Sequence, residues 1–136
     1  MGFILSILAI FLLCIVHVVD YLFSLVYDVK NRQWFNVVGK RNFKKAFNID
    51  VFGNYQYREF WNFAFSKKGN NYKFGKFGET LSSCFGKKQI EKSLSIVGWI
   101  FLIIINTIDI SKWLKNGHCK ASIMTDDEIN TFLNRF

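Results

Sequence analysis

The N-terminal stretch Gly2–Val19, GFILSILAIFLLCIVHVV, decides how the rest of the chain is understood. Its eighteen residues include no Asp, Glu, Lys or Arg. An α-helix rises about 1.5 Å per residue, so this stretch would extend about 27 Å as a helix. That length is close to the hydrocarbon thickness of a lipid bilayer. The stretch therefore predicts a transmembrane helix.

This predicted helix has the features of an uncleaved anchor rather than those of a signal peptide. No Lys or Arg precedes the apolar stretch, and Asp20-Tyr21-Leu22-Phe23 follows it in place of a small-residue cleavage site. Apolar residues then recur at helical spacing, namely Tyr21, Leu22, Leu25, Val26 and Val29. We expect an anchor domain over residues 1–29, with the helix extending amphipathically to Asp28.

The remaining domain, residues 30–136, is basic and aromatic. The chain has a net charge of +8, and fourteen of its eighteen Lys and Arg residues lie between Lys30 and Lys92. By the positive-inside rule, this excess places the domain in the cytoplasm. The three Cys residues lack the spacing of a disulfide framework or a zinc site. We therefore expect reduced thiols, no metal site and no cofactor.

Local patterns predict an all-α fold for this domain. Tyr55–Phe65 fits a helix in which Tyr57, Phe60, Trp61 and Ala64 form one stripe, a pattern that is typical of a core-facing surface. Ser66–Gly78 has the composition of a loop, and Thr80 is expected to cap the helix that follows. The sequence Thr125-Asp126-Asp127-Glu128 is a capping box that predicts a last helix. Asn116-Gly117-His118-Cys119 predicts a turn before that helix.

A second apolar stretch leaves the topology open. Leu94–Ile108 holds fifteen uncharged residues, which is short for a membrane span. It fits either the buried core helix of a small domain or a second, tilted transmembrane helix. The first alternative keeps everything after the anchor in the cytoplasm, whereas the second makes a membrane hairpin.

A short basic cluster follows the anchor closely. Its members are Lys40, Arg41, Lys44 and Lys45. Next to a membrane helix, anionic lipid headgroups are the favoured partner of such a cluster. We therefore expect the lipid bilayer and its headgroups as partners, and we do not expect nucleic acid. A pore-forming role would also require a homo-oligomer of anchors.

Three short motifs carry a resemblance. They are Glu79-Thr80-x-Ser82-Ser83, then Gly86-Lys87, then His118-Cys119. With Asp50 and Asn54 upstream, the region of about residues 50–123 resembles a group of small phage and prophage proteins that have no assigned activity. Relatives carry a shorter amphipathic helix in place of 94–108, which favours the core-helix alternative. The high hydrophobicity of that stretch in this chain departs from the pattern and keeps the second span open.

The resemblance also implies that eight polar residues form one cluster. They are Asp50, Asn54, Glu79, Thr80, Ser82, Ser83, His118 and Cys119. Such a cluster is either a hydrogen-bond network that holds helix ends together or a functional site. In a catalytic site, Cys119 or one of the two Ser residues would be the nucleophile, His118 the base and Glu79 its orienting carboxylate. Asp50, Asn54 and Thr80 would then be binding residues.

Three hypotheses of function follow. The leading one is a small phage-encoded protein integral to the bacterial inner membrane, with a cytoplasmic basic body, that is lysis-related or interferes with a host membrane process. The alternative is a membrane-tethered hydrolase or transferase that uses the Glu/Ser/His/Cys cluster. A nucleic-acid-binding module that uses the basic body is the third.

Overall fold

The computed structural model describes residues 2–30, 34–108 and 117–134. Within these ranges the chain forms seven helices and no β-strand, which confirms the predicted all-α fold. The helices are α1 (Gly2–Lys30), α2 (Trp34–Gln56), α3 (Arg58–Phe65), α4 (Leu81–Ile90), α5 (Ile96–Ile108), α6 (His118–Ala121) and α7 (Asp126–Leu133). Two compact units can be distinguished, residues 1–45 and 46–136, and the division falls within α2.

Helix α1 is apolar and exposed over nearly its whole length. The most apolar eighteen-residue window of Gly2–Tyr27 has a mean hydropathy of 2.8, and none of that window is buried. The core helix of a soluble domain would bury at least one face, so α1 does not have that character. It is long and apolar enough to cross a bilayer, and it continues past Asp20 as the sequence predicts.

Polar contacts join α1 and α2 within residues 1–45. Lys45 forms an ion pair with Asp20, and its Nζ also lies 3.4 Å from Ser24 Oγ. The guanidinium carbon of Arg41 lies 5.9 Å from the centroid of the Tyr27 ring. These contacts lie beyond the uncharged stretch that ends at Val19. The polar part of this unit therefore begins where the uncharged stretch of α1 ends.

The core of residues 46–136 is aromatic. Phe85 of α4 is fully buried, and the centroid of its ring lies 5.7 Å from that of Phe65 and 5.0 Å from that of Phe74. Rings at such separations gain from edge-to-face contact in addition to burial. Trp61 and Ala64 of the predicted stripe pack against this core.

The rest of that stripe is not core. Tyr57 and Phe60 are exposed, so the interpretation of the whole stripe as core-facing was wrong for these two residues. Helix α3 has only eight residues and begins at Arg58, which leaves Tyr57 outside it as the N-cap residue.

Helix α5 packs one face on this core. Leu102 is almost fully buried, and Gly98 lies so close to α3 that an added Cβ would be 2.6 Å from the carbonyl oxygen of Phe65. The opposite face of α5 is exposed. Residues 94–108 therefore contribute a helix to the core, as the core-helix alternative predicted. Only one face of that helix is buried.

Both predicted N-caps are present. Thr80 Oγ1 accepts a hydrogen bond from Ser83 N at the start of α4, and Thr125 and Glu128 form a capping box at the start of α7. The predicted turn over 116–119 was wrong at its end, because a single helical turn, α6, begins at His118. Asn116 lies outside the described residues.

Helices α4 and α6 approach each other closely at a glycine. A Cβ at Gly86 would lie 2.3 Å from the carbonyl oxygen of Cys119, closer than van der Waals contact allows. By contrast, a Cβ at Gly53 in α2 would meet no heavy atom within 4 Å.

These two glycines form a matched pair for a stability test. Gly86→Ala should lower the free energy of unfolding by about 3 kcal/mol, because the backbones of α4 and α6 must separate. Gly53→Ala should leave it unchanged or raise it by up to about 1 kcal/mol, because Ala favours a helix interior. Urea unfolding of the full chain in mild detergent, followed by near-ultraviolet circular dichroism, measures both. Equal effects of the two substitutions would contradict the close approach.

Candidate functional site

A fully buried carboxylate lies at the centre of the predicted polar cluster. Glu79 precedes the N-cap of α4, and its side chain has no exposed surface. Oε1 accepts a hydrogen bond of 2.6 Å from Ser83 Oγ and lies 2.7 Å from Lys87 Nζ. Oε2 accepts a bond of 2.5 Å from the Tyr72 hydroxyl. Ser83 and Lys87 are one helical turn apart on α4, so the same face of the helix presents both groups to the carboxylate.

Tyr72 comes from the loop before α4 and contacts the same cation. Its hydroxyl accepts a hydrogen bond of 3.1 Å from Lys87 Nζ, which also lies 4.7 Å from the centroid of the ring. Burial raises the pKa of the Tyr72 phenol, and its hydrogen bond to Glu79 raises this pKa further. The phenol therefore stays protonated and acts as a donor to the carboxylate.

Asn54 of α2 fastens the loop that leads to Glu79. It is fully buried, and its Nδ2 donates a hydrogen bond of 2.9 Å to the backbone carbonyl of Glu79. Its Oδ1 accepts one of 3.0 Å from the backbone N–H of Gly75. The amide thus satisfies backbone groups on two sides of the loop, which is a structural use of a buried Asn.

Asp50 lies one turn before Asn54 on α2 and contacts the start of α4. Its Oδ2 accepts hydrogen bonds of 2.8 Å from Ser82 Oγ and 3.4 Å from Ser82 N. Thr80 Oγ1 accepts from the next N–H, that of Ser83, at 3.1 Å. The two residues thus satisfy first-turn donors of α4, and the Asp50 carboxyl lies where the helix dipole favours negative charge.

Burial raises the pKa of the Asp50 carboxyl above its ordinary value, and the hydrogen bonds from Ser82 and the electrostatic influence of His118 oppose this shift without cancelling it.

Ser83 connects α4 to the chain that enters α7. Its hydroxyl donates to Glu79 and accepts a hydrogen bond of 2.9 Å from the backbone N–H of Met124. The hydroxyl proton is therefore already committed to the carboxylate. A nucleophilic Ser needs a base that takes this proton while the oxygen faces a substrate, whereas Ser83 is fully buried.

The two cysteines of this region are fully buried as well. Burial raises the pKa of the Cys84 thiol, and the nearby Glu79 carboxylate raises it further. Cys119 of α6 is fully buried, and its backbone N–H donates a hydrogen bond of 3.2 Å to Asn106 Oδ1. Buried thiols are poor nucleophiles, since the thiolate is the reactive form.

The structure brings most of the predicted cluster together. Six of the eight residues take part in the hydrogen bonds above, in two groups: Asp50 with Ser82, and a connected set of Asn54, Glu79, Thr80 and Ser83. We call the connected set, with Tyr72 and Lys87, the Glu79 network. His118 and Cys119 lie on α6, which packs against α4. The side chains that contact the Glu79 carboxylate include Tyr72, Ser83, Cys84 and Lys87.

Sequence reasoning did not assign roles to Tyr72 and Lys87. A signal for Lys87 was present, because 79, 83 and 87 follow the four-residue spacing of one helical face. Tyr72 lies in a loop with glycines at 69, 75 and 78, where no periodicity points to a partner. Only the folded loop brings its hydroxyl to the carboxylate.

The predicted headgroup-binding residues are divided between two environments on α2. Lys40 and Lys44 are exposed. Arg41 and Lys45 are partly buried and face α1, where Lys45 pairs with Asp20. The exposed pair is the part of the cluster that can reach an anionic surface directly.

Among the described residues, no three His, Cys, Asp or Glu side chains come together as a metal site would require. Comparison with family models, curated proteins and solved structures found no match to this chain. The resemblance to small phage proteins therefore stays a prediction.

The Glu79 network should contribute strongly to stability. Glu79→Gln removes the charge and replaces one acceptor by a donor, which leaves buried donors and the Lys87 ammonium without a full partner. We expect the free energy of unfolding to fall by about 3 kcal/mol or more. Glu59→Gln is the matched control, because the Glu59 side chain is 92% exposed and its effect should stay below about 0.5 kcal/mol. Urea titration of both variants in detergent tests this, and equal losses would contradict it.

Thiol accessibility gives an independent test. In the folded chain in detergent, Cys84 and Cys119 should react with a maleimide only after unfolding, whereas a Cys introduced by Asn130→Cys, at an exposed position of α7, should react at once. Mass spectrometry of peptides after timed labelling measures each site. Rapid labelling of Cys119 in the folded chain would instead support its interpretation as an accessible nucleophile.

Proposed function

We propose that this chain is an integral membrane protein in which α1 is an uncleaved transmembrane anchor and α2 places basic residues at the lipid headgroups. One observation carries the proposal: an eighteen-residue window of Gly2–Tyr27 has a mean hydropathy of 2.8, and none of it is buried within the described chain. An apolar surface of this extent is unstable in water and stable in a bilayer.

The ion pair at Asp20 supports a definite border of the span. A charged side chain in the hydrocarbon region is unfavourable, and Asp20 draws Lys45 to the same level. We therefore place the membrane span at Gly2–Val19 and the Asp20–Lys45 pair in the headgroup region. Tyr21 and Tyr27, both exposed, then lie where interfacial aromatic residues are common.

The exposed lysines of α2 support contact with anionic lipids. Lys40 and Lys44 are one turn apart and both exposed. A basic residue near an anionic leaflet contributes about 1 kcal/mol of binding energy, and this contribution weakens with salt. The excess of Lys and Arg after the anchor supports a cytoplasmic location of the basic domain.

The resemblance to small phage proteins extends the proposal to a source and a setting. On this basis the protein acts in the inner membrane of a bacterial host, in lysis or in interference with a host membrane process. The enzymatic alternative gains no support from the structure, because its nucleophile candidates Ser82, Ser83 and Cys119 are all buried. The Glu79 network serves as a structural connection between helices.

Carbonate extraction of membranes that contain the full-length tagged chain tests the anchor. The wild-type chain should stay in the pellet. The double substitution Ile10→Arg and Leu13→Arg should move it to the supernatant, because each Arg at the centre of a span opposes insertion by about 3 kcal/mol. Ile49→Arg with Phe52→Arg is the matched control, since these exposed residues of α2 have the same spacing outside the span, and it should stay in the pellet.

The intact mass of the extracted chain distinguishes an anchor from a signal peptide. An uncleaved chain retains its full mass of 16.0 kDa. Loss of about 15–30 N-terminal residues, the usual length of a signal peptide, would refute the anchor. A wild-type chain found in the carbonate supernatant would refute membrane integration altogether.

A further inference from the structure

Helix α5 presents an apolar face to the outside of residues 46–136. Its exposed members are Ile96, Val97, Ile100, Ile103 and Ile104. They recur at helical spacing opposite the core residue Leu102, and Ile96 is 82% exposed. Aliphatic side chains aligned in this way normally pack against something apolar.

Helix α3, which packs against α5, adds exposed aromatic residues to the apolar surface of this unit. Phe63 is 90% exposed and Phe60 is 55% exposed, and neither lies in the core. Together, the seven residues of α3 and α5 form what we call the outer apolar face. Helix α5 contains no charged residue, so no charged side chain of α5 interrupts this face.

Lysines border this face at the N-terminal end of α5. Lys67, Lys68 and Lys92 are exposed. They are held together there, because Lys67 N donates to the carbonyl of Ser93 and Lys67 Nζ donates to the carbonyl of Lys92, both at 2.9 Å.

The border is positive because its three lysines outnumber Glu91, whose carboxylate keeps its negative charge while it accepts hydrogen bonds. Glu91 Oε2 is engaged by the N–H of Tyr72 at 3.0 Å and by Ser93 Oγ at 3.1 Å. Glu59 of α3 lies 3.6 Å from the guanidinium of Arg58. Three exposed ammonium groups beside an aliphatic face form the combination that anionic headgroups and lipid chains complement.

We propose that the outer apolar face docks on the lipid bilayer, with α5 lying in the interfacial layer rather than crossing the membrane. This inference rests on the proposed function in that the anchor keeps the chain at a bilayer. Thirteen residues extend only about 20 Å as a helix, too short for a span. One side of α5 is also occupied by protein, so only the other side is available to lipid.

The composition of the face favours lipid over a protein partner. Protein interfaces draw most of their binding energy from Trp, Tyr and Arg, which this face lacks. Its residues are Ile, Val and Phe, which partition into the acyl boundary of a bilayer. Lysine side chains at its edge can keep their ammonium groups in the headgroup layer while their stems contact lipid.

Site-directed spin labelling of the full chain tests this proposal. The label is placed at Ile100→Cys in a Cys14→Ser background, where the remaining cysteines are fully buried. The matched control carries the label at Asn130→Cys, an exposed position on α7. Both proteins are reconstituted in vesicles of phosphatidylcholine and phosphatidylglycerol, and collision rates with oxygen and with nickel-EDDA are measured by electron paramagnetic resonance.

We expect the label at 100 to collide several-fold more with oxygen, relative to nickel-EDDA, than the label at 130, at a depth of about 5–10 Å. Ready access of nickel-EDDA to position 100 would show an aqueous surface and overturn the proposal. Low access of both reagents would show a protein contact, such as a second copy, and would also overturn it. A soluble chain after carbonate extraction would refute the anchor alone, because the label at 100 still reports contact with added vesicles.

Discussion

A single buried carboxylate determines how residues 46–136 fit together. Glu79 has no contact with water, so its charge is tolerable only where protein donors replace the lost hydration. Those donors come from one face of α4, through Ser83 and Lys87, and from the preceding loop, through Tyr72. Because Ser83 also accepts from Met124 N, the same group fixes the chain that enters α7. Local order in three segments therefore depends on one charge.

This arrangement gives the buried polar groups a structural role rather than a reactive one. The Glu79 network uses its hydroxyl, amide and ammonium groups to satisfy one another, and a fully satisfied buried network adds rigidity rather than reactivity. Close packing acts in the same direction, since Gly86 allows the backbones of α4 and α6 to approach. Function is then to be sought on the surfaces that the fold leaves uncovered. These are the apolar length of α1 and the outer apolar face.

Features that depend on neighbouring residues in the chain were predictable from the sequence. The caps at Thr80 and Thr125 need only a side chain and an N–H three residues away, and α1 follows from hydropathy alone. The grouping of polar residues around Glu79 came from a resemblance, and six of those eight residues take part in hydrogen bonds, in two groups. The sequence did not reveal which side chains pair: Tyr72 reaches Glu79 from a loop without periodicity, and Asp50 of α2 accepts a hydrogen bond from Ser82 of α4. These pairings depend on tertiary packing, which sequence spacing does not encode.

The same limit explains why the sequence left residues 94–108 open between a core helix and a membrane span. Hydropathy averages over the circumference of a helix, so a helix with a buried apolar face and an exposed apolar face gives the same signal as a membrane span. In α5 the core contact needs only the side that carries Leu102 and Gly98. The outer face of α5 carries five aliphatic residues that the core contact does not require. Packing within the fold does not explain this apolar surface. The surface is bordered by lysines and belongs to a chain with an apolar anchor, so we infer that it contacts lipid.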